Sequence, residues 1–261
     1  MSRAGAFLLL LLALWAGAAL GQTPEEKAQA IIDEAERRAE GFRDMVASAE
    51  MLIRNARGHE ARRALDIRIL EMPDGARSLT VVQAPKDVKG TALLTYSHDH
   101  ADDEQWLFLP AVKRVKRIAA TSRSGPFMGS EFAYEDFSSQ ARDKYLYRWL
   151  REETLDGVPC HVVERRPKPE TQSSYARLLT WIEKNELLLQ RVHYFNHNDE
   201  HVKTLQVGGY SKYDERWWRA GSFVMTNLVT GGASILSWRD IRFGVGLTER
   251  DFDQAALQAA R

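Results

Sequence analysis

Histidine and acidic side chains gather in two segments of the sequence, and they are of the types that bind metal ions. The first segment is a run of imidazole and carboxylate groups: His98, Asp99, His100, Asp102, Asp103 and Glu104. It falls between two strand-like runs, which favours a solvated hairpin turn over a metal site. The second, His193, His197 and His201, has a spacing of four that shares one face only on a helix, whereas its neighbours alternate as strands do. We therefore expect no metal ligand in either segment.

Nucleophilic catalysis has no recognisable motif in this sequence. There is no G-x-S-x-G, no H-E-x-x-H and no glycine-rich phosphate loop. Ser130 follows Met128-Gly129, but no residue near it in sequence resembles an oriented base. We expect no enzyme, no catalytic residue and no cofactor, and we keep a metal-dependent hydrolase as a third hypothesis.

The first 21 residues have the organisation of a secretory signal peptide. Arg3 gives a positive start, residues 6–19 are apolar apart from glycine, and Ala19-Leu20-Gly21 offers the small-x-small pattern of a cleavage site. The alternative is a retained N-terminal anchor, for which the apolar run is short. We expect residues 1–21 to be a cleaved signal peptide and residues 22–261 to form a single exported domain.

Charge balance and cysteine usage limit the partners. The whole chain has 36 Lys and Arg against 36 Asp and Glu, and removal of Arg3 leaves 36 − 1 = 35 basic residues. A balance near zero argues against nucleic acid or an anionic membrane surface as the main partner. The single cysteine, Cys160, permits no internal disulfide. We expect it to be a small core residue, with an intermolecular disulfide as the alternative.

Residues 23–56 are predicted to be helical. Thr23 is followed by a proline and, at the third helical position, by Glu26, which is the order of a capping box. Apolar residues then recur at helical spacing from Ala28 to Met45 against a charged face. Such an amphipathic helix needs an apolar partner surface.

After Gly58 the apolar period changes to that of strands, and turn residues separate short alternating runs. The runs cover residues 65–69, 78–83, 92–97, 105–109, 145–153, 160–166, 175–183, 188–195, 201–206, 222–229 and 233–241. About ten or eleven strands with short turns predict a mainly β meander with one helix packed on it. The aromatic residues of these runs either fill an ordinary core or line a cavity larger than side chains can fill, and both interpretations stay open.

Residues 85–137 contain three distinctive strings. The first is P-x-D-V-K-G-T-A-L-L from Pro85, the second W-L-F-L-P-A-x-K-R-V-x-R-I from Trp106, and the third F-M-G-S-x-F-x-Y-E-D from Phe127. In this order and spacing they closely resemble the outer-membrane lipoprotein-sorting-protein-like branch of the LolA/LolB superfamily. Weaker matches continue downstream, so the resemblance covers nearly all of the mature chain.

The resemblance implies a fold and a function. The fold is a strongly curved antiparallel sheet, an incomplete β-barrel, with an N-terminal amphipathic helix and short helices covering the concave face. The function is that of a periplasmic carrier, in which a lipid or the acyl chains of a lipoprotein lie between sheet and helices. Many members of this branch look like companions of inner-membrane exporters of the resistance-nodulation-division type. The main alternative is therefore a non-carrying accessory subunit of such an exporter, because fold does not fix function.

Eight apolar residues are predicted to line the cavity or its lid: Leu65, Ile67, Trp106, Phe108, Phe127, Met128, Phe132 and Tyr134. Phe127 and Met128, next to a glycine, suit a short helix or loop over a cavity mouth, and a plug that completes the core is the alternative. A basic string precedes them: Lys113, Arg114, Lys116 and Arg117. It fits either a solvated edge strand or a docking patch for an acidic partner or a lipid headgroup.

Overall fold

The computed structural model describes residues 21–138 and 142–259, so the predicted signal peptide lies outside the described residues except for Gly21. The described helices are α1 (Pro24–Ala39) and α2 (Gln254–Ala259). The strands are β1 (Asp44–Arg54), β2 (Glu60–Met72), β3 (Gly75–Ala84), β4 (Ala92–His98), β5 (Glu104–Leu109), β6 (Arg114–Ile118), β7 (Tyr145–Leu155), β8 (Val158–Pro167), β9 (Arg177–Glu183), β10 (Leu189–Phe195), β11 (His201–Gly208), β12 (Ser211–Tyr213), β13 (Trp217–Arg219), β14 (Ser222–Asn227) and β15 (Ala233–Phe243). Neither described helix has the length and apolar character needed to cross a membrane.

Thirteen strands form one antiparallel sheet in the order β6-β5-β4-β3-β2-β1-β15-β14-β11-β10-β9-β8-β7, and β12 and β13 form a separate hairpin. Leu93 of β4 and Leu178 of β9 belong to the same buried cluster. In a flat sheet these strands would lie about 38 Å apart, at roughly 4.8 Å per strand. The sheet therefore curves around the cluster, and we call that side the concave face. The predicted fold class, an incomplete barrel with an N-terminal helix, is confirmed.

The two ends of the sheet, β6 and β7, are not paired with each other in the described parts of the chain. One ion pair and one histidine–carboxylate contact connect the β4–β5 turn to the start of β7. The Lys144 ammonium contacts the nearly buried Asp103 carboxylate, and His100 Nδ1 lies 2.8 Å from Asp143 Oδ2. The segment that links β6 to β7 contributes buried side chains, such as that of Phe127, to the concave face.

Helix α1 begins at a complete capping box. The Thr23 hydroxyl accepts from the Glu26 backbone N–H, and the Glu26 carboxylate accepts from the Thr23 N–H. Its apolar side, Ala28 and Ile31, packs against β7 and β8 on the concave face. The helix ends at Ala39, so the C-terminal part of the helical prediction is wrong.

Residues 44–54 form strand β1 instead of helix. Gly41 and Arg43 both take positive φ values, 85° and 69°, which turn the chain out of the helical path. The inward residues of β1 are Met45, Ala47, Ala49 and Met51. Alanine and methionine have high intrinsic helix propensities, so the sequence pattern of these residues was interpreted as helical. Pairing with β2 and β15 decides the outcome.

The C-terminal residues cover the opposite, convex face of the sheet. Phe252 and Leu257 are fully buried against β3 and β4. The Tyr96 hydroxyl of β4 donates a 2.6 Å hydrogen bond to the Phe252 carbonyl. The sheet therefore carries one terminal helix on each face.

Candidate ligand cavity on the concave face

Six of the eight predicted cavity residues lie together on the concave face: Leu65, Ile67, Phe127, Met128, Phe132 and Tyr134. Leu65 and Ile67 point inward from β2. The other four come from residues 127–137, a segment that we call the plug. The structure thus joins two distant parts of the prediction in one cluster, and their role in ligand binding stays a prediction.

The plug packs as core. It consists of two 3-10 turns, Phe127–Gly129 and Tyr134–Phe137. The centroid of the Phe127 ring lies 4.5 Å from that of Phe137 and 5.9 Å from that of Tyr134, and Phe127 is 1% exposed. Interlocked rings of this kind fill space as a protein interior does. This half of the concave face is therefore occupied by the chain itself.

One carboxylate fixes the tip of the plug to the β14–β15 turn. Asn227 Nδ2 donates to Glu131 Oε2 at 2.7 Å, and the Thr230 hydroxyl donates to Glu131 Oε1 at 3.2 Å. The backbone of Glu131 is held as well, because its N–H donates to Ser234 Oγ and its carbonyl accepts from Lys203 Nζ. The plug is thus connected to three neighbouring strands through a single residue.

The plug also holds a second carboxyl group away from water. Burial raises the pKa of Asp136 to about 6, and the positive charge of Lys203 opposes this rise. The Ala133 N–H donates to Asp136 Oδ2 at 2.7 Å. The neighbouring Glu135 carboxylate accepts a 3.0 Å hydrogen bond from the Ser173 hydroxyl. The protonation of Asp136 is therefore coupled to the folded state of the plug.

The structure places Trp106 and Phe108 on the convex face, so their prediction as cavity residues is wrong. Trp106 lies opposite Leu94 in the β4–β5 register and packs in the cluster that contains Phe252. Leu107, between the two, points to the concave side. Alternation along a strand separates neighbours onto two faces, but it does not say which face the rest of the chain curves around.

A cavity of about 1000 Å³ occupies the other half of the concave face. Its floor is apolar and comes from β1, β2, β14 and β15: Met45, Ile69, Phe223, Trp238 and Ile241. The C-terminal half of α1, the β2–β3 turn and the β4–β5 turn form its mouth. The eight predicted residues are not among the described residues that line it.

Two signals in the sequence lead toward this floor. Ile69 continues the alternation of Leu65 and Ile67 along β2, and Phe223 and Trp238 are aromatic residues of predicted strands. The floor itself could not be assembled from the sequence, because it joins strands that are far apart along the chain.

Charged groups surround the mouth of the cavity. The guanidinium of Arg219 lies 4.9 Å from the centre of the Phe42 ring and 5.1 Å from that of Phe243, and it donates to the Ala39 carbonyl. Burial lowers the pKa of Arg219, and the Glu71 carboxylate opposes that change. Further carboxylates at the mouth are Asp33, Glu36, Glu40, Asp99 and Asp143. The mouth is thus mainly acidic around one half-buried guanidinium.

The two histidine segments do not form a metal centre in the part of the chain that the structure describes. His98 lines a second cavity of about 640 Å³, whereas His100 faces Asp143 at 2.8 Å. The rings of His193 and His201 stack at 4.2 Å, and burial lowers the pKa of His193 to about 4. No three His, Cys, Asp or Glu side chains of the described residues come together as a metal site needs.

The basic string is exposed at one edge of the sheet. Arg114, Lys116 and Arg117 lie on β6, and Lys113 ends the turn before it. Arg117 pairs with Glu104 at 2.5 Å, and the other three make no ion pair with described residues. This position agrees with the edge-strand interpretation, and docking by these residues stays a prediction.

Known proteins share this geometry. The model of a family described as "Uncharacterized protein" matches residues 74–259. An outer-membrane lipoprotein-sorting protein domain from Vibrio parahaemolyticus is 40% identical with a TM-score of 0.87, over 90% of this chain and 99% of that chain. A DUF1329-family protein from Desulfovibrio piger is 30% identical with a TM-score of 0.84, over the same 90% and 99%. Among curated proteins, none matches.

The fold is shared with a protein of much lower sequence identity. A LolA-superfamily protein from Nitrosomonas europaea is 18% identical with a TM-score of 0.71, over 88% of this chain and 98% of that chain. The curved sheet with a helix on its concave face is therefore the LolA-superfamily fold. The chain belongs to the family of the relatives from Vibrio parahaemolyticus and Desulfovibrio piger, the outer-membrane lipoprotein-sorting-protein-like family, as its three strings indicate.

Proposed function

We propose that this protein is a periplasmic carrier that binds a lipid, or the acyl chains of a lipoprotein, in the cavity of the concave face. The main observation in support is the cavity of about 1000 Å³ with an apolar floor. Cavities that bind small ligands measure about 300 to 1,000 Å³ and are lined mainly by apolar side chains. The family relationship to a lipoprotein-sorting protein domain supports the same choice.

An apolar floor is sufficient for such a carrier. Burying a methylene group contributes about 0.8 kcal/mol, so a 16-carbon chain gains roughly 12 kcal/mol before the costs of ordering and association. A carrier must also release its ligand, which favours few directional contacts.

Two of the predicted residues, Leu65 and Ile67, separate the cavity from the plug in this proposal. Leu65 and Ile67 belong to the cluster against which the floor residues Ile69, Phe223 and Trp238 pack. A ligand in the cavity meets the floor first. A ligand longer than the cavity contacts the plug residues Phe127, Met128, Phe132 and Tyr134 only if the plug moves.

Location and partners complete the proposal. Cleavage of residues 1–21 and export to the periplasm follow from the pattern of the N-terminal sequence. An inner-membrane exporter is the proposed partner, with Lys113, Arg114, Lys116 and Arg117 as its docking residues. The proposal includes no catalytic step and no stable membrane insertion.

A second candidate function is that of a non-carrying accessory subunit of an exporter. The plug favours it, because the chain's own side chains fill one half of the concave face. An accessory subunit needs the curved sheet as a docking shape and does not need the cavity. The two candidates therefore differ in one measurable property, the uptake of a ligand.

Native mass spectrometry of the chain from residue 22 onward, purified from a periplasm, tests the choice. A co-purifying mass that organic extraction identifies as a lipid supports the carrier. A bare protein mass, with no uptake of added fatty acids, phospholipids or lipopeptides, favours the accessory subunit.

A matched pair of variants then locates the site. Ile69→Trp places bulk in the cavity and should weaken binding of a fluorescent fatty acid at least tenfold. Leu70→Trp, the next residue of β2 on the other face, should leave the affinity unchanged. Equal affinities in both folded variants would move the ligand out of this cavity.

A further inference from the structure

Four turns lie side by side at one end of the sheet. They join β5 to β6, β3 to β4, β1 to β2 and β14 to β15, which are successive pairs in the strand order. The turns between β1 and β2 and between β14 and β15 are in contact, since a Cβ on Gly231 would lie 3.3 Å from the Cβ of Ala56. We call these turns, residues 110–113, 85–91, 55–59 and 228–232, the basic rim.

The charge of the basic rim is one-sided. Its exposed cations are Arg57, Lys86, Lys89 and Lys113, and none of them makes an ion pair with a described residue. The single carboxylate in the four turns is that of Asp87. The balanced total charge of the chain therefore conceals a local positive excess. The excess ends at β14, because the next turn at this end carries Asp199 and Glu200.

Large aliphatic side chains project from the same turns. Val112, Leu228 and Val229 are 58%, 50% and 75% exposed, whereas most valines and leucines among the described residues are buried or half-buried. An aliphatic tip beside unpaired cations matches the boundary of an anionic bilayer, where headgroups attract lysine and arginine and the first methylenes accept apolar side chains. An acidic protein would complement the cations but would not account for the aliphatic tips.

We propose that the basic rim docks on the surface of an anionic lipid bilayer. Arg57, Lys86, Lys89 and Lys113 contact the headgroups, while Val112, Leu228 and Val229 enter the boundary below them. The contact is peripheral and reversible, because four cations and three aliphatic residues supply far less than a membrane-spanning helix does. The inference uses only the outside of one end of the sheet, so it stands whether or not the cavity holds a ligand.

Co-sedimentation with vesicles tests the proposal. The chain from residue 22 onward contains every described helix and strand. It is mixed with vesicles of phosphatidylcholine alone or of equal parts phosphatidylcholine and phosphatidylglycerol. We expect binding to the anionic vesicles only, decreasing as salt is added. Binding to neither vesicle, or equally to both, overturns the proposal. So does capture of an acidic protein by a chain that ignores both vesicles.

Matched variants locate the contact. Each cation near an anionic surface contributes about a fivefold factor in binding, so Lys86→Gln with Lys113→Gln should weaken binding roughly 25-fold. The control is Arg239→Gln with Arg242→Gln, two exposed arginines toward the far end of β15, which should change little. Val229→Ser should weaken binding without altering its salt dependence, against Leu146→Ser, which is 57% exposed on β7. Equal losses in rim and control variants, with unfolding midpoints unchanged, overturn the assignment of the contact to the rim.

Discussion

The concave face has two halves that are built from similar side chains and filled differently. Under the plug, the Phe127 ring is fully buried and lies 4.5 Å from the ring of the half-buried Phe137. In the other half, Ile69 and Trp238 are only half-buried and face a cavity of about 1000 Å³. In the plugged half the chain's own rings fill the space, whereas in the other half the apolar floor borders a space that no described residue fills.

Replacement of Phe127 by alanine removes a buried ring from the plug and should lower the unfolding free energy more than any other change proposed here. Truncation of a fully buried phenylalanine costs about 3 to 5 kcal/mol, because the transfer free energy is lost and a cavity remains. Chemical denaturation followed by circular dichroism measures the change. Leu146→Ala, at an exposed site, should stay within about 0.5 kcal/mol. Similar losses in both variants would show that the plug is not core.

The connection between plug and sheet should come next in size. Glu131→Ala leaves Asn227 Nδ2 without its acceptor and removes hydrogen bonds to a carboxylate, which should cost about 2 kcal/mol of unfolding free energy. Glu50→Ala serves as the control, since its exposed pair with Arg62 should contribute less than about 1 kcal/mol. If Glu131→Ala lowers the unfolding free energy no more than Glu50→Ala does, the Glu131 carboxylate does not hold the plug to the sheet.

Asp136 gives the plugged half a pH dependence. Because burial raises its pKa to about 6 in the folded protein, the folded state binds the proton more tightly than the unfolded chain does. The resulting stability is fully present below the unfolded pKa, near 4, and is lost as the pH rises through about 6. The whole shift corresponds to roughly 3 kcal/mol, and partial exposure of the residue reduces our expectation to about 1 to 2 kcal/mol.

The Asp136→Asn variant isolates this effect. Asparagine keeps an acceptor for the Ala133 N–H but does not titrate. The variant should gain stability relative to the wild type as the pH is raised from about 5 to about 7.5. Parallel stability curves for the two proteins across this window would show that the carboxyl group is not held away from water.

The smallest change in stability is expected at the cavity floor. Trp238→Phe removes an N–H that has no partner among the described residues, so stability should change by less than about 1 kcal/mol. Trp181→Phe is the matched case, because the Trp181 N–H donates to Glu153 at 3.1 Å and the residue is buried. Its loss should be larger. If Trp238→Phe instead weakens lipid uptake at unchanged stability, the indole contacts the ligand.

The sequence predicted the sheet better than the use of its faces. Alternating runs identified most strands, and Cys160 is a buried core residue, as its position at the start of a strand-like run predicted. Strand β1 was missed because Ala47, Ala49 and Met51 are also good helix formers. Trp106 was assigned to the wrong face, since alternation fixes neighbours relative to each other but not relative to the curvature. The cavity floor required knowledge that β1 lies between β2 and β15, which local pattern does not contain.

The placement of the two terminal helices on opposite faces has a practical side. Helix α2 covers β3 and β4 on the convex face, whereas the C-terminal half of α1 stands at the cavity mouth. Attachment of the chain to a sensor chip through its C-terminal end would therefore leave the cavity turned toward the solution. The same attachment through a residue late in α1, such as Arg37, would obstruct the entrance. Immobilisation chemistry thus decides whether a surface-binding assay can detect a ligand for this protein at all.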